Sequence, residues 1–354
     1  MTPVPLDLPL RPSEAAELAN LIFDQSERKP LTDELRTRLA ARAAVLKLET
    51  LTPHFGSLER DPVHPSAYYL AVDGIEASPH LLYMALSTAP TSSIFHKPLL
   101  IGRMRRVNGP ELVINATPFG PADRHNIDLF VSKIETAFLP RPQGSRVEIA
   151  VQAADTPAAF EVFRTVHKRT GKNVAAVTGD YHAALWAAIR AGWRLGYAAI
   201  ASLQPGSTSE SIRPYGVFTR FSVDVSALEP FEPALKAAEQ VHEQIRQARA
   251  ALKLSGTFEF EVGLPEVSAA DLEFCLDWLK TRGHAAQFAA PARISGDLAA
   301  AATVARQQQA ALSFVYRGES AETLQEVAHA ALGRVAFRAQ NAAEAAFLAE
   351  HLLS

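Results

Sequence analysis

The feature that most restricts this chain is a strand–helix rhythm running from about residue 111 to the C-terminal residues. Val147–Val151 reads as a strand, and Pro157–Arg169 as a helix that Thr156 starts, with proline at its first position. Gly171 ends that helix before a strand at Val174–Val177, a helix at Tyr181–Leu195 and strands at Tyr197–Leu203 and Phe218–Val225. The amphipathic stretch Pro230–Leu252 precedes a strand at Phe258–Leu264, and a helix over 268–282 starts on Ser268. Strands at Ala285–Ala289, Leu312–Tyr316 and Val335–Ala339 then alternate with helices at Asp297–Gln309, Ala321–Leu332 and Ala342–Leu353. Strands separated by helices imply right-handed crossovers and a parallel sheet. Eight such strands are what a TIM-type (β/α)8 barrel requires. A strand at 111–119 followed by a helix at 122–137 makes a possible ninth, so the choice of the eight that close stays open. A doubly wound open sheet is the alternative, but no GxGxxG turn follows an early strand.

Residues 1–50 are expected to form a helical N-terminal extension, with Ser13 and Thr32 as caps and Pro30 between two helices. Residues 51–354 would then be the barrel, preceded to about residue 120 by an irregular or β-hairpin segment. Within that segment, Pro98–Met104 and Glu111–Phe119 read as strands joined by the turn Asn108-Gly109-Pro110, and 51–95 gives no clear period.

Composition narrows the function classes. The 354 residues carry 35 Lys plus Arg and 38 Asp plus Glu, a net charge of −3, against the basic excess of a nucleic-acid protein. One cysteine, Cys275, excludes an internal disulfide and a CxxC motif, and its apolar surroundings suggest a buried thiol. The N-terminus lacks a signal-peptide pattern and no run is long and apolar enough to span a membrane, so a cytoplasmic protein is expected. None of the 11 histidines falls in a spacing that favours a divalent metal.

Candidate chemistry sits where barrel strands end. In Phe258-Glu259-Phe260-Glu261-Val262, alternation sets both glutamates on one face. Carboxylates inside a barrel are costly unless paired or functional. Glu261 is therefore either an acid/base or metal carboxylate, or a buried glutamate held by Arg or Lys. Asp224 ends a strand and is either catalytic or the start of a polar turn. His182 opens a helix, where it can meet a ligand or simply be solvated. Asn115 ends a strand in a Pro/Gly-bounded loop, with Asp123 positioned to cap the next helix. Arg103/Arg105/Arg106 and Arg213/Arg220 can hold an anionic sugar or sit on a solvated surface.

Several segments resemble the tagaturonate epimerase family over roughly residues 53–354. Phe55-Gly56-Ser57-Leu58-Glu59-Arg60 is similar to a family segment reading Phe-Gly-any-Gly-Asp-Arg, with Arg60 kept. Leu185 through Tyr197, Phe218 through Asp224, and Phe258 through Val262 with Pro265-Glu266 are also similar. The resemblance implies a TIM barrel that inverts a hydroxyl-bearing carbon of a hexuronate with a divalent metal. It also implies acid/base or metal-carboxylate roles for Asp224, Glu261 and Glu266; the expected substrate contacts are Arg60 and Arg220, which lie in the similar segments, together with Asn115 and His182 from the reading of the residues themselves. The departures bear on the metal. Ser202-Leu203 stands where the family has Asp-His, Val315 through Glu319 replace a His-containing loop, and Val335-Ala336-Phe337-Arg338 lacks the last strand's histidine.

Two functions follow. One is a divergent epimerase-family isomerase acting on or binding a ketose or uronate, with no metal ligands evident. The other is a catalytically inactive barrel that binds a sugar-like ligand or pairs with an active relative. In either case the expected partner is a small sugar or sugar acid rather than nucleic acid or membrane, and a homo- or hetero-oligomer is compatible.

Overall fold

The structure, a computed structural model, describes residues 11–354 apart from 75–77, 90–93, 107–108, 144–147, 153–156, 172–173, 229, 265–267, 282–285, 290–297, 333–334 and 353–354. The chain divides into two compact units, Met1–Phe138 with Leu185–Arg194, and Leu139–Ala184 with Leu195–Ser354.

The first unit opens with helices α1 (Pro12–Ser26) and α2 (Asp33–Ala43) and continues with strands β1 (Leu51–Arg60), β2 (Ala67–Gly74), β3 (Pro79–Leu86), β4 (Leu99–Met104) and β5 (Leu112–Pro118), then helix α3 (Arg124–Lys133). The strands form an antiparallel sheet in the order β1-β2-β3-β5-β4. Thr32 caps α2 by accepting from the Leu35 amide, as its spacing predicts. Ser13 does not cap α1: the helix starts at Pro12, a favoured place for proline, after Arg11.

Alternation along the strands gives this sheet two buried faces. Tyr68, Leu70 and Val72 of β2, with Leu82 and Met84 of β3, share a core with Leu18, Ile22, Leu35 and Leu39 of α1 and α2. The two N-terminal helices thus belong to the sheet's core instead of forming a separate extension. The other face carries Tyr69, whose ring meets Tyr83, Phe95 and Phe130. With both faces covered, 51–86 shows no polar alternation, which is why the sequence reads there as irregular. The strand expected at 111–119 is β5, and its antiparallel pairing removes it from the parallel set.

The second unit holds β6 (Glu148–Gln152), α4 (Pro157–Thr170), β7 (Val174–Val177), the start of α5 (Tyr181–Ala191), β8 (Ala198–Leu203), α6 (Ser209–Ile212), β9 (Arg220–Asp224), α7 (Phe231–Ala251) and β10 (Glu259–Gly263). It continues with α8 (Ala269–Thr281), β11 (Ala286–Ala289), α9 (Leu298–Gln307), β12 (Ala311–Val315), α10 (Ala321–Ala330), β13 (Val335–Ala339) and α11 (Ala342–Leu352). Every strand is parallel to its neighbours, and β6 through β13 hydrogen-bond in sequence, with β13 returning to β6 in a closed order. Among the described residues, no helix is long and apolar enough to cross a membrane.

Candidate functional site: the polar interior of the parallel strands

Ring contacts fix which face of each strand looks inward. Phe260 and Phe258 meet His242 of α7, and Phe221 meets Phe258, so these rings lie on the helix side. Alternation then turns Arg220, Ser222 and Asp224 of β9, and Glu259 and Glu261 of β10, toward the interior. Phe314 and Phe337 stack on each other, which leaves Ser313 and Arg338 inward on β12 and β13. The β6–β8 wall contributes Ala150, Ala175, Ala198 and Ile200. The three alanines leave volume for the two long arginines, satisfying the demand for a filled interior.

The inward groups form two polar levels. At the N-terminal level Arg220, fully buried, sets Nη2 2.6 Å and Nε 2.7 Å from Glu259 Oε2. Glu259 Oε1 accepts from the Gln143 amide at 2.9 Å. Two residues further along each strand, Glu261 is also fully buried. Its Oε1 accepts from Ser222 Oγ at 3.0 Å and takes an ion pair from Arg338 Nη2, which also donates to Ser222 Oγ at 3.2 Å. In strand order β13 and β9 are separated by β6, β7 and β8, so Arg338 bridges the interior from the opposite wall. Glu261 Oε2 and Ser313 Oγ are buried and carry no hydrogen bond. Buried polar atoms normally find a partner, so these two mark a place for a donor group.

Beyond this level the strands reach their C-terminal ends. Ser202 is exposed between buried Ala201 and Leu203, and Asp224 is exposed after buried Val223. Asp224 Oδ1 accepts from the Ser226 amide at 2.9 Å, which is the polar-turn arrangement. A side chain on Gly263 would meet Asp224 Oδ1 at 3.1 Å, so glycine there leaves this carboxylate its room.

The other expected site residues lie elsewhere. His182 starts α5 after β7, its amide donating to Asp180 Oδ1 at 2.9 Å and its ring edge-on to Tyr181. Arg220 occupies the N-terminal level, held by Glu259, neither open to an anion nor solvated. Glu266 falls outside the described residues. Arg60 and Asn115 belong to the first unit. Arg60 Nη2 donates to the carbonyls of Ser26 and Lys29 at the C-terminal end of α1, an end that favours a cation. Asn115 is buried on β5, opposite Tyr83. Asp123 stands at the N-terminal end of α3, but its carboxylate accepts from Gly120 instead of a helix amide. Arg106 pairs with Asp24 and Glu27. Cys275 is fully buried, and burial pushes its thiol well above the ordinary range.

Ser313 was not a sequence candidate, and Arg338 was noted only for standing where a histidine was expected. Each is a polar residue inside an apolar strand, in phase with its inward positions, and that phase is the signal that finds them. The first unit has its own buried charges. Arg36 Nη2 and Arg194 Nε lie 2.9 and 3.0 Å from Glu59 Oε1, yet burial outweighs both arginines and raises that carboxyl above its ordinary value. No three-donor group of His, Cys, Asp or Glu suited to a metal occurs among the described residues.

No family model and no curated protein sequence matches the chain. Solved structures do. The native crystal structure of fructuronate-tagaturonate epimerase UxaE from Cohnella laeviribosi is similar with a TM-score of 0.57 at 13% identity, covering 87% of this chain and 75% of that one. A glycerol-complexed crystal structure of the same epimerase gives a TM-score of 0.56 at 12% identity, covering 87% and 74%. At such identity the likeness is a distant one of fold.

Proposed function

We propose that the parallel unit is a TIM-type (β/α)8 barrel that binds a ketose or uronate at the C-terminal ends of its strands, as a divergent, epimerase-like sugar-acid protein. The observation that carries this reading is the graded polarity of the interior. Exposed Ser202 and Asp224 lie at the strand ends, and behind them is a buried level whose Glu261 Oε2 and Ser313 Oγ lack partners. A polyhydroxy ligand supplies hydroxyl donors for such atoms, and Arg338 supplies N–H groups for a carboxylate or keto oxygen. In (β/α)8 enzymes the working groups lie at that end, and the fold's likeness to an epimerase of fructuronate and tagaturonate points to the same ligand class. Asp224 and Glu261 are the carboxylates available to this reading. His182, which follows β7, stands on the rim, while Arg60, Asn115 and Arg220 serve the framework.

A second reading, binding without turnover, is favoured by the ion pair that occupies Glu261 Oε1. Calorimetric titration with tagaturonate, fructuronate, tagatose and fructose, followed by NMR of the mixtures, separates the two. Binding that Asp224→Asn weakens supports the mouth as the site, and new sugar signals add turnover. Absence of binding to all four at millimolar concentration refutes both readings.

A further inference from the structure

The family that the sequence resembles uses a divalent metal, and the donors at this level do not suit one. The fully buried carboxylate of Glu261 already has one oxygen committed to Arg338 Nη2 and to Ser222 Oγ. Among the described residues, the other polar groups at this level besides Arg338 are the hydroxyls of Ser222 and Ser313, weak metal ligands when neutral. Any ion reaching Glu261 Oε2 would also share a desolvated space with the Arg338 guanidinium, and like charges repel strongly at that range. The guanidinium meanwhile offers what a hard cation offers a carboxylate, a permanent positive charge, and it adds directed N–H donors that do not deprotonate.

We propose that Arg338 holds the place against Glu261 that a divalent cation would take, so the site carries its positive charge covalently and binds an acceptor oxygen of its ligand through the guanidinium. The arrangement fits the strand order. Arg338 comes from β13, on the wall opposite β9 and β10, and its side chain reaches Ser222 and Glu261 across the interior, while Arg220 of β9 is held by Glu259 at the N-terminal level. Glu261 Oε2 and Ser313 Oγ then stand beside a fixed cation and take neutral hydroxyl donors. The inference rests on reading this end as the working face. Its test involves no turnover, so failure of the inference and failure of that reading can be told apart.

The test combines metal uptake with chemical rescue. Wild-type protein and Glu261→Gln are incubated with Mn2+, desalted and assayed for manganese, and wild-type crystals soaked in Mn2+ are examined by anomalous diffraction. The expected result is equal uptake by the two proteins and no manganese peak in contact with Glu261. In Arg338→Ala, methylguanidinium is expected to raise the melting temperature by refilling the place of the lost guanidinium. Manganese bound by the wild type and lost in Glu261→Gln, or a manganese peak at Glu261, overturns the proposal. So does failure of methylguanidinium to raise the melting temperature of a folded Arg338→Ala. The anomalous map needs no variant, and it decides the matter alone if Arg338→Ala does not fold.

Discussion

The ion pair across the interior makes an asymmetric stability prediction. Arg338→Ala strands Glu261, fully buried, with one hydroxyl partner, whereas Glu261→Gln strands an arginine whose side chain keeps 17% of its exposure. Breaking a buried pair so that an uncompensated charge remains costs about 3–5 kcal/mol. Glutamine keeps an acceptor for Ser222 and leaves a cation that water can still reach, a loss nearer about 1–2 kcal/mol. At about 2–4 °C per kcal/mol for a unit of roughly 200 residues, Arg338→Ala lowers the melting temperature of the second unit by about 6–20 °C. Glu261→Gln lowers it by about 2–8 °C on the same scale. Differential scanning calorimetry of both variants and of the double variant measures this directly. The double variant should melt above Arg338→Ala, because removing the stranded carboxylate relieves the penalty. Equal losses from the two single changes, or additive losses in the double variant, would refute the argument that burial of the remaining charge sets the cost.

Three further outcomes follow from the packing. A Cβ on Gly56 would lie 2.8 Å from the Gly192 nitrogen, a backbone atom that cannot swing aside, whereas one on Gly102 meets nothing within 4 Å. Gly56→Ala should therefore cost about 1–3 kcal/mol and Gly102→Ala nothing or less, measured by urea denaturation. Burial raises the Asp73 carboxyl, but its hydrogen bond to His54 and the charges of His54 and Arg190 outweigh this and hold it below its ordinary 3.8. Its stabilisation is thus present above pH 3.8 and lost as pH falls through the depressed value, so Asp73→Asn should flatten the acid limb of a stability–pH profile. Cys275, buried with its thiol pushed up, should react with a thiol reagent only in denaturant, and rapid native labelling would contradict its placement.

Much of the second unit was legible because its strands are short, apolar and spaced by capped helices. All eight strands from β6 to β13 fall within a few residues of their expected positions. Helix α5 stops at Ala191 instead of Leu195 because Gly192, at φ +69°, ends it. Glu261 was legible as inward by alternation, and the alternative of a glutamate held by arginine is the arrangement found. Which arginine holds it was not legible, since β13 meets β9 and β10 only once the ring is closed. The three strands of 51–86 were hidden for a different reason. Both faces are buried, and β1 breaks register between His54 and Glu59, so no period of two survives in the sequence.

The ten residues from Leu185 to Arg194, which belong to the first unit, set an order of assembly on the ribosome. Glu59 waits for Arg194, 135 residues later, and the close approach of Gly56 needs Gly192. At about 5–20 residues per second, the first unit stays incomplete for about 7–27 seconds after β1 is made. During that interval β6 and β7 emerge without the six strands that complete their ring. The two units are therefore born interleaved, and a fragment cut at residue 138 would leave Glu59 buried without one of its two arginines.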